Sequence, residues 1–112
     1  MTAMTKSQRL KAAVEGQPVD RAPVALWRHF PGDDRYPEEQ ARAHLEFHRL
    51  YDFDFIKVTP SHNFCVADWG VEEQYVGNNE GTCETVRRPV EAPDDWRKIQ
   101  PLDPSTGALG RQ

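Results

Sequence analysis

Tyr51-Asp52-Phe53-Asp54-Phe55-Ile56-Lys57-Val58-Thr59-Pro60 is the stretch on which the fold turns. Phe53 to Thr59 has the length and the aromatic and β-branched content of a strand, and Pro60 ends it. With a period of two, Ile56 and Val58 face one way while Phe55, Lys57 and Thr59 face the other. Just before it, Pro37 to Tyr51 reads as a helix. Pro37 suits the first turn, and Glu38 and Glu39 suit the positive helix start. Ala43, Phe47, Leu50 and Tyr51 form one apolar stripe. A helix passed to a strand through so short a connection is the pattern of an α/β unit.

Working outward, Ala22 to Trp27 is a second apolar run of strand length, ended by Arg28-His29 and followed by a loop from Phe30 to Tyr36. Ser7 to Glu15 reads as a helix with Ser7 as its cap, Leu10, Ala13 and Val14 on one face, and Gly16 as its stop. On the other side, Asp68 to Val76 is extended, Gly77 to Gly81 is a turn, and Thr82 to Val90 is the antiparallel partner. Asp94 or Asp95 caps a short helix through Ile99, and Ser105 opens another. No repeat, low-complexity tract or linker interrupts residues 1–112, which read as part of one domain with no internal boundary. A parallel strand needs neighbours and cover on both faces. One core strand with one helix before it therefore predicts an incomplete α/β domain.

Charge and composition narrow the function. The net charge is −4, and no basic stripe with interleaved aromatics occurs, which excludes a typical nucleic-acid partner. No run approaches the roughly 18 apolar residues that span a membrane, and no apolar leader opens the chain. The expected location is the cytoplasm. Cys65 and Cys83 stand alone, without the close pairing of a structural zinc site, and are expected as reduced thiols with no bound metal. His44 and His48 have helical i, i+4 spacing but read as a solvated face. Trp27, Trp69 and Trp96 read as packing residues.

The residues Arg9-Leu10-Lys11-Ala12-Ala13 and Gly16-Gln17-Pro18-Val19-Asp20-Arg21-Ala22-Pro23-Val24 resemble the opening of the uroporphyrinogen decarboxylase superfamily. Leu26-Trp27-Arg28 is similar to its step into an arginine-rich substrate loop. Tyr51 to Val58 is similar to its first barrel strand. Asp68-Trp69-Gly70-Val71, Arg88-Pro89-Val90 and Pro93-Asp94-Asp95-Trp96 resemble the segments that follow. The resemblance implies the N-terminal portion of a TIM (β/α)8 barrel, a fold of about 250 residues. It implies a lyase of porphyrin biosynthesis that takes the acetate side chains of uroporphyrinogen to methyl groups, giving coproporphyrinogen, without metal or organic cofactor. It also implies a homodimer for the full-length protein. Corrinoid-dependent, zinc-using methyltransferases share the superfamily and form the alternative, and a non-enzymatic truncated remnant is a third.

An anionic, tetrapyrrole-like substrate calls for cationic donors in fork geometry. By the resemblance, Arg28 is the first arginine of the substrate loop. The second falls at Gly32, and Arg35-Tyr36 takes its place if the loop is longer by three residues. The catalytic aspartate of the family falls at Ser61, at the C-terminal end of a barrel strand. Lys57 shares its face with Thr59 and Ser61 and is expected to bind the anion. His29 and His62, with Asn63 beside it, complete the expected substrate contacts. His29 is also placed as a general acid.

Overall fold

The computed structural model describes residues 2–112. They divide into two compact units: residues 2–28 with Arg42–Thr59, and His29–Ala41 with Pro60–Gln112.

The first unit opens with α1, Lys6–Val14. Its cap is Thr5 rather than Ser7. Thr5 Oγ1 accepts the Gln8 N–H, and Gln8 Oε1 accepts the Thr5 N–H at 3.0 Å. This reciprocal box satisfies two amides that a helix start leaves open, so it outweighs a single serine two residues later. The α2 helix runs Pro37–Tyr51, as its stripe predicts. Asp52 follows with φ of 54°, a left-handed turn that Asp tolerates. It also pairs with Lys6. Phe47, Tyr51 and Phe53 then cluster with ring centres 5.0–5.5 Å apart.

A charged cluster holds this unit together. Arg9 donates to Asp20 through Nε and Nη2, at 2.6 and 2.8 Å, and to Asp54 Oδ1 through Nη1. Its Nη2 also reaches the Met4 carbonyl at 2.7 Å. Arg21 grips the other side of Asp54 with both Nη atoms. The Asp54 side chain is 1 % exposed. A carboxylate this deep is tolerable only when every lone pair has a donor, and here two guanidinia and the Val24 N–H supply them. The Arg21 guanidinium, the Val24 N–H and Arg9 hold the Asp54 carboxyl well below the usual carboxylate range. Asp20 is held low in the same way by Arg9 and by the Met4 N–H.

The cluster fixes two segments side by side. Asp54 donates its N–H to the Val24 carbonyl at 2.8 Å, and Val24 donates its N–H to Asp54 Oδ2 at 2.8 Å. Three residues on in each segment, Lys57 Nζ lies 4.0 Å from the Trp27 ring centre. Both contacts join residues the same distance apart in sequence (54 − 24 and 57 − 27), so the segments run in the same direction. Neither forms a strand, although Ala22–Trp27 and Phe53–Thr59 were both expected as strands. The physical reason lies at Val24, whose N–H goes to the Asp54 side chain instead of to a carbonyl of a ladder. His44 corrects a further expectation. It is buried, not solvated, and its Nε2 accepts the Thr59 N–H at 3.0 Å. Among the described residues, Ala43 is the sole buried hydrophobic side chain, while Leu26 and Val58 are 60 % and 64 % exposed.

The second unit carries the hairpin. Strands β1, Glu72–Tyr75, and β2, Cys83–Arg87, pair antiparallel with Tyr75 opposite Cys83 and Glu73 opposite Thr85. A bulge follows at Glu72, which pairs with Arg87 by register and by an ion pair at 2.7 Å. Asn78 organises the turn by accepting the Glu80 and Thr82 N–H groups. Short 3₁₀ turns lie at Asp33–Arg35, Ala67–Trp69 and Pro93–Lys98. Asp95, of the two aspartates considered, caps the last by accepting the Glu91 and Ala92 N–H groups. Helix α3, Gly107–Arg111, is not capped by Ser105. The Asp68 carboxylate accepts the Ala108 and Leu109 N–H groups instead. Gly107 permits this approach: its φ is +63°, and a Cβ there would lie 2.5 Å from the Asp68 carboxylate.

The charged cluster makes acid stability predictable. Asp20 and Asp54 have folded-state pKa values below their unfolded ones. Their stabilisation is therefore full above the ordinary carboxylate value of about 3.9 and is lost as pH falls below it. Circular dichroism melts should give a constant Tm above about pH 5 and a falling one between about pH 4 and 2. Asp54→Asn should lower Tm at pH 7 by about 5–10 °C and flatten that acid dependence. An unchanged Tm would show that the cluster does not hold the unit.

Candidate functional site

The expected site residues fall in both units. Arg28 and Lys57 belong to the first, and His29, Arg35, Ser61 and His62 belong to the second. In the first unit Lys57 is exposed, its ammonium over the Trp27 indole. That is a cation–π placement, and no carboxylate among the described residues claims the ammonium. Arg28 follows Trp27 directly and is also exposed. Both cations thus lie at the C-terminal ends of the two co-directed segments.

In the second unit a cavity of about 160 Å³ brings together Arg35, Ser61 and His62 with Asp34, Glu73 and Cys83. The hairpin builds one wall. Glu73 and Tyr75 share a face of β1 by alternation, and Cys83 lies opposite Tyr75. The Arg35 guanidinium lies 4.9 Å from the Tyr75 ring centre and 5.6 Å from that of Tyr36. No carboxylate among the described residues takes its N–H groups. Arg35 also borders a more open depression of about 730 Å³, with Tyr36, Pro37 and Arg111.

Two histidine–carboxylate pairs flank the arginine. His62 Nδ1 lies 2.8 Å from Glu73 Oε1. With the proton assigned to Nδ1, Nε2 is left as an acceptor, the arrangement of an oriented general base. His29 Nδ1 lies 3.2 Å from Asp34 Oδ2, which also accepts the Phe30 N–H at 2.8 Å. Ser61 is engaged elsewhere: its Oγ donates to Gln112 Oε1 at 2.6 Å, and Gln112 in turn donates to Gln40. At the position expected for a catalytic aspartate, the structure thus holds a tethered hydroxyl with no negative charge. Cys83 is a poor nucleophile here, because burial and then the Glu73 charge push its thiol up, leaving little thiolate. Among the described residues, no group of three His, Cys, Asp or Glu side chains could hold a metal ion, and no helix is long and apolar enough to cross a membrane.

Asp34, Glu73, Tyr75 and Cys83 were not among the expected site residues. Alternation in Glu72–Tyr75, together with the Gly77–Gly81 turn, does place Glu73, Tyr75 and Cys83 on one hairpin face. Nothing in the sequence says that this face meets Arg35 and His62. No family model matches the chain, and neither the curated proteins nor the solved structures contain a match to it.

The two thiols give a check on the cavity. At pH 8, Cys83 should alkylate with iodoacetamide at least about three-fold more slowly than exposed Cys65. Glu73→Gln should speed Cys83 and leave Cys65 unchanged, as followed by peptide mass spectrometry. A Cys83 that reacts faster than Cys65 would contradict the wall described for this cavity.

Proposed function

We propose that this chain is the opening of an α/β barrel of the uroporphyrinogen decarboxylase type, and that it contributes cationic groups to the binding of a polycarboxylate substrate such as a tetrapyrrole. The observation that carries this reading is the pair of co-directed segments, 22–27 and 54–59, with Arg28 and Lys57 at their C-terminal ends. In α/β barrels that end of the strands holds the active site. The exposed apolar side chains Leu26 and Val58 suit a place where neighbouring barrel elements cover them. An ammonium over an indole, with no carboxylate partner among the described residues, is poised for an anion.

The family reaction releases an acetate carboxyl as CO2 and protonates the carbon left behind, through a cationic intermediate that needs a carboxylate nearby. Ser61 supplies no such charge. That observation favours the second reading, a corrinoid-dependent methyltransferase of the same superfamily. Its zinc has no fitting ligand set among the described residues.

Binding is testable on the chain itself. In a Trp69→Phe, Trp96→Phe background, Trp27 reports on its own end of the unit. An octacarboxylate porphyrin should quench Trp27 saturably, more weakly at high salt. Lys57→Glu should weaken binding by about ten-fold or more, since it replaces attraction with repulsion. Equal binding by the parent, Lys57→Glu and Arg28→Glu chains would overturn the proposal.

A further inference from the structure

We propose that Arg35, Arg111 and Asn63 form a binding site for a phosphate group, carried by a phosphate monoester or present as the free ion. The site lies in the second unit and uses neither Arg28 nor Lys57, so it stands apart from the function proposed above.

The three side chains border a further small cavity, of about 120 Å³. Arg35 comes to it from the 3₁₀ turn Asp33–Arg35, Arg111 from the last turn of α3, and Asn63 from the loop before Ala67–Trp69. No aspartate or glutamate lines it. Two other polar side chains on its wall are already engaged: Ser61 donates to Gln112, and Gln112 to Gln40. Phe64 and Ala108 add apolar surface, which displaces water and strengthens a charge-assisted contact.

The donors are unspent. Neither guanidinium pairs with a carboxylate among the described residues, and the Asn63 side-chain amide has no hydrogen-bond partner among them. Arg35 rests against the Tyr36 and Tyr75 rings, contacts that orient it and leave its N–H groups available. The carboxylate that feels the Arg111 charge is Asp68, whose oxygens are taken by the Ala108 and Leu109 N–H groups. Two cations on one small cavity repel each other, and an anion between them removes that cost.

Geometry sets the ligand class. A carboxylate has two oxygens in one plane, which a single guanidinium fork satisfies. A phosphate presents oxygens in several directions and accepts from two forks and an amide at once. The cavity has room for a group of a few heavy atoms. Arg35 and Arg111 also border the open depression of about 730 Å³, where the rest of a monoester finds space. Asp33, Glu38 and Glu39 line that depression. Their charges repel a second phosphate and accept hydroxyl groups, which favours a monoester over a polyphosphate.

The experiment is a titration of the ¹⁵N-labelled chain with inorganic phosphate, methyl phosphate and acetate, at about pH 7.5, where phosphate is mostly dianionic. The Nε–H signals of Arg35 and Arg111 and the side-chain amide of Asn63 report on the site. Phosphate should shift all three saturably with millimolar affinity, and acetate should bind about ten-fold more weakly. Arg35→Gln and Arg111→Gln, both at exposed positions, should each weaken phosphate by about five-fold or more. Arg88→Gln removes the same charge at another exposed position of the second unit and should change nothing. Methyl phosphate bound as tightly as inorganic phosphate assigns the site to an ester, and weaker methyl phosphate assigns it to the free ion. The proposal is overturned if phosphate gives no saturable shift up to about 100 mM. It is also overturned if acetate binds as tightly as phosphate. Equal weakening by Arg88→Gln and the two cavity variants would overturn it as diffuse attraction to surface cations. Should Arg111→Gln disturb the spectrum globally, Arg111→Lys, which keeps the charge and loses the fork, should still weaken phosphate about two-fold or more, and unchanged binding there overturns the proposal.

Discussion

The first unit depends on one buried carboxylate. Asp54 is enclosed, and an enclosed carboxylate must collect donors or be protonated. It collects them from α1 through Arg9, from the turn before Val24 through Arg21, and from Val24 itself. Arg9 comes from α1, while Arg21 and Val24 come from one short stretch, so meeting the demands of one side chain sets the position of both. Arg9 passes the constraint on to Asp20, and Asp20 to the Met4 N–H. Apolar burial contributes little, since Ala43 is the sole buried hydrophobic side chain among the described residues. A buried ion cluster adds little net stability, yet removing one partner costs much, because it leaves the others buried and unpaired. Trp27 and Lys57 lie three residues beyond the anchor in each segment, so the same anchor positions them.

The second unit solves a different problem with the same materials. Short elements are held by side chains that cap them from a distance: Asp68 for α3, Asp95 for its 3₁₀ turn, Asn78 for the hairpin. Such local anchoring lets irregular chain form a small polar cavity without a large core. Asp34 is the exception to this satisfied pattern. Its Oδ1 is buried without a hydrogen-bond partner, while its Oδ2 holds the Phe30 N–H and His29.

How far all this was legible varies with the physical origin of each feature. Helix α2 was readable to the residue, because Pro37, the two glutamates and the apolar stripe act locally and agree. The α1 cap was misplaced by two residues, since Thr5 and Gln8 cooperate and Ser7 acts alone. The strand expected over Phe53–Thr59 does not form: Asp54 and Phe55 bend, and Phe55 to Val58 are all exposed, without alternation. A ladder also needs a partner backbone, and the Val24 N–H had already been taken by Asp54. His44 was misjudged because the buried face of α2 is Gln40, Ala43 and His44, whereas Leu50 and Tyr51 of the apolar stripe are exposed; an imidazole can be buried when it accepts an amide such as that of Thr59. Asp20 and Arg21 stood out as part of a motif, but their role in binding Arg9 and Asp54 is a matter of three-dimensional pairing. In the site, Arg35 and His62 could be singled out by type. The carboxylates that orient them come from chain positions that no spacing rule connects.

The central claim is that the Asp54 anchor sets residues 22–27 and 54–59 running side by side in one direction. A nuclear Overhauser map of the labelled chain tests it most directly. The account predicts cross-peaks between the Val24 and Asp54 amide regions together with cross-peaks from the Trp27 indole to the Lys57 side-chain methylenes. Contacts from Trp27 to residues before Asp54, or none between the two segments, would contradict it.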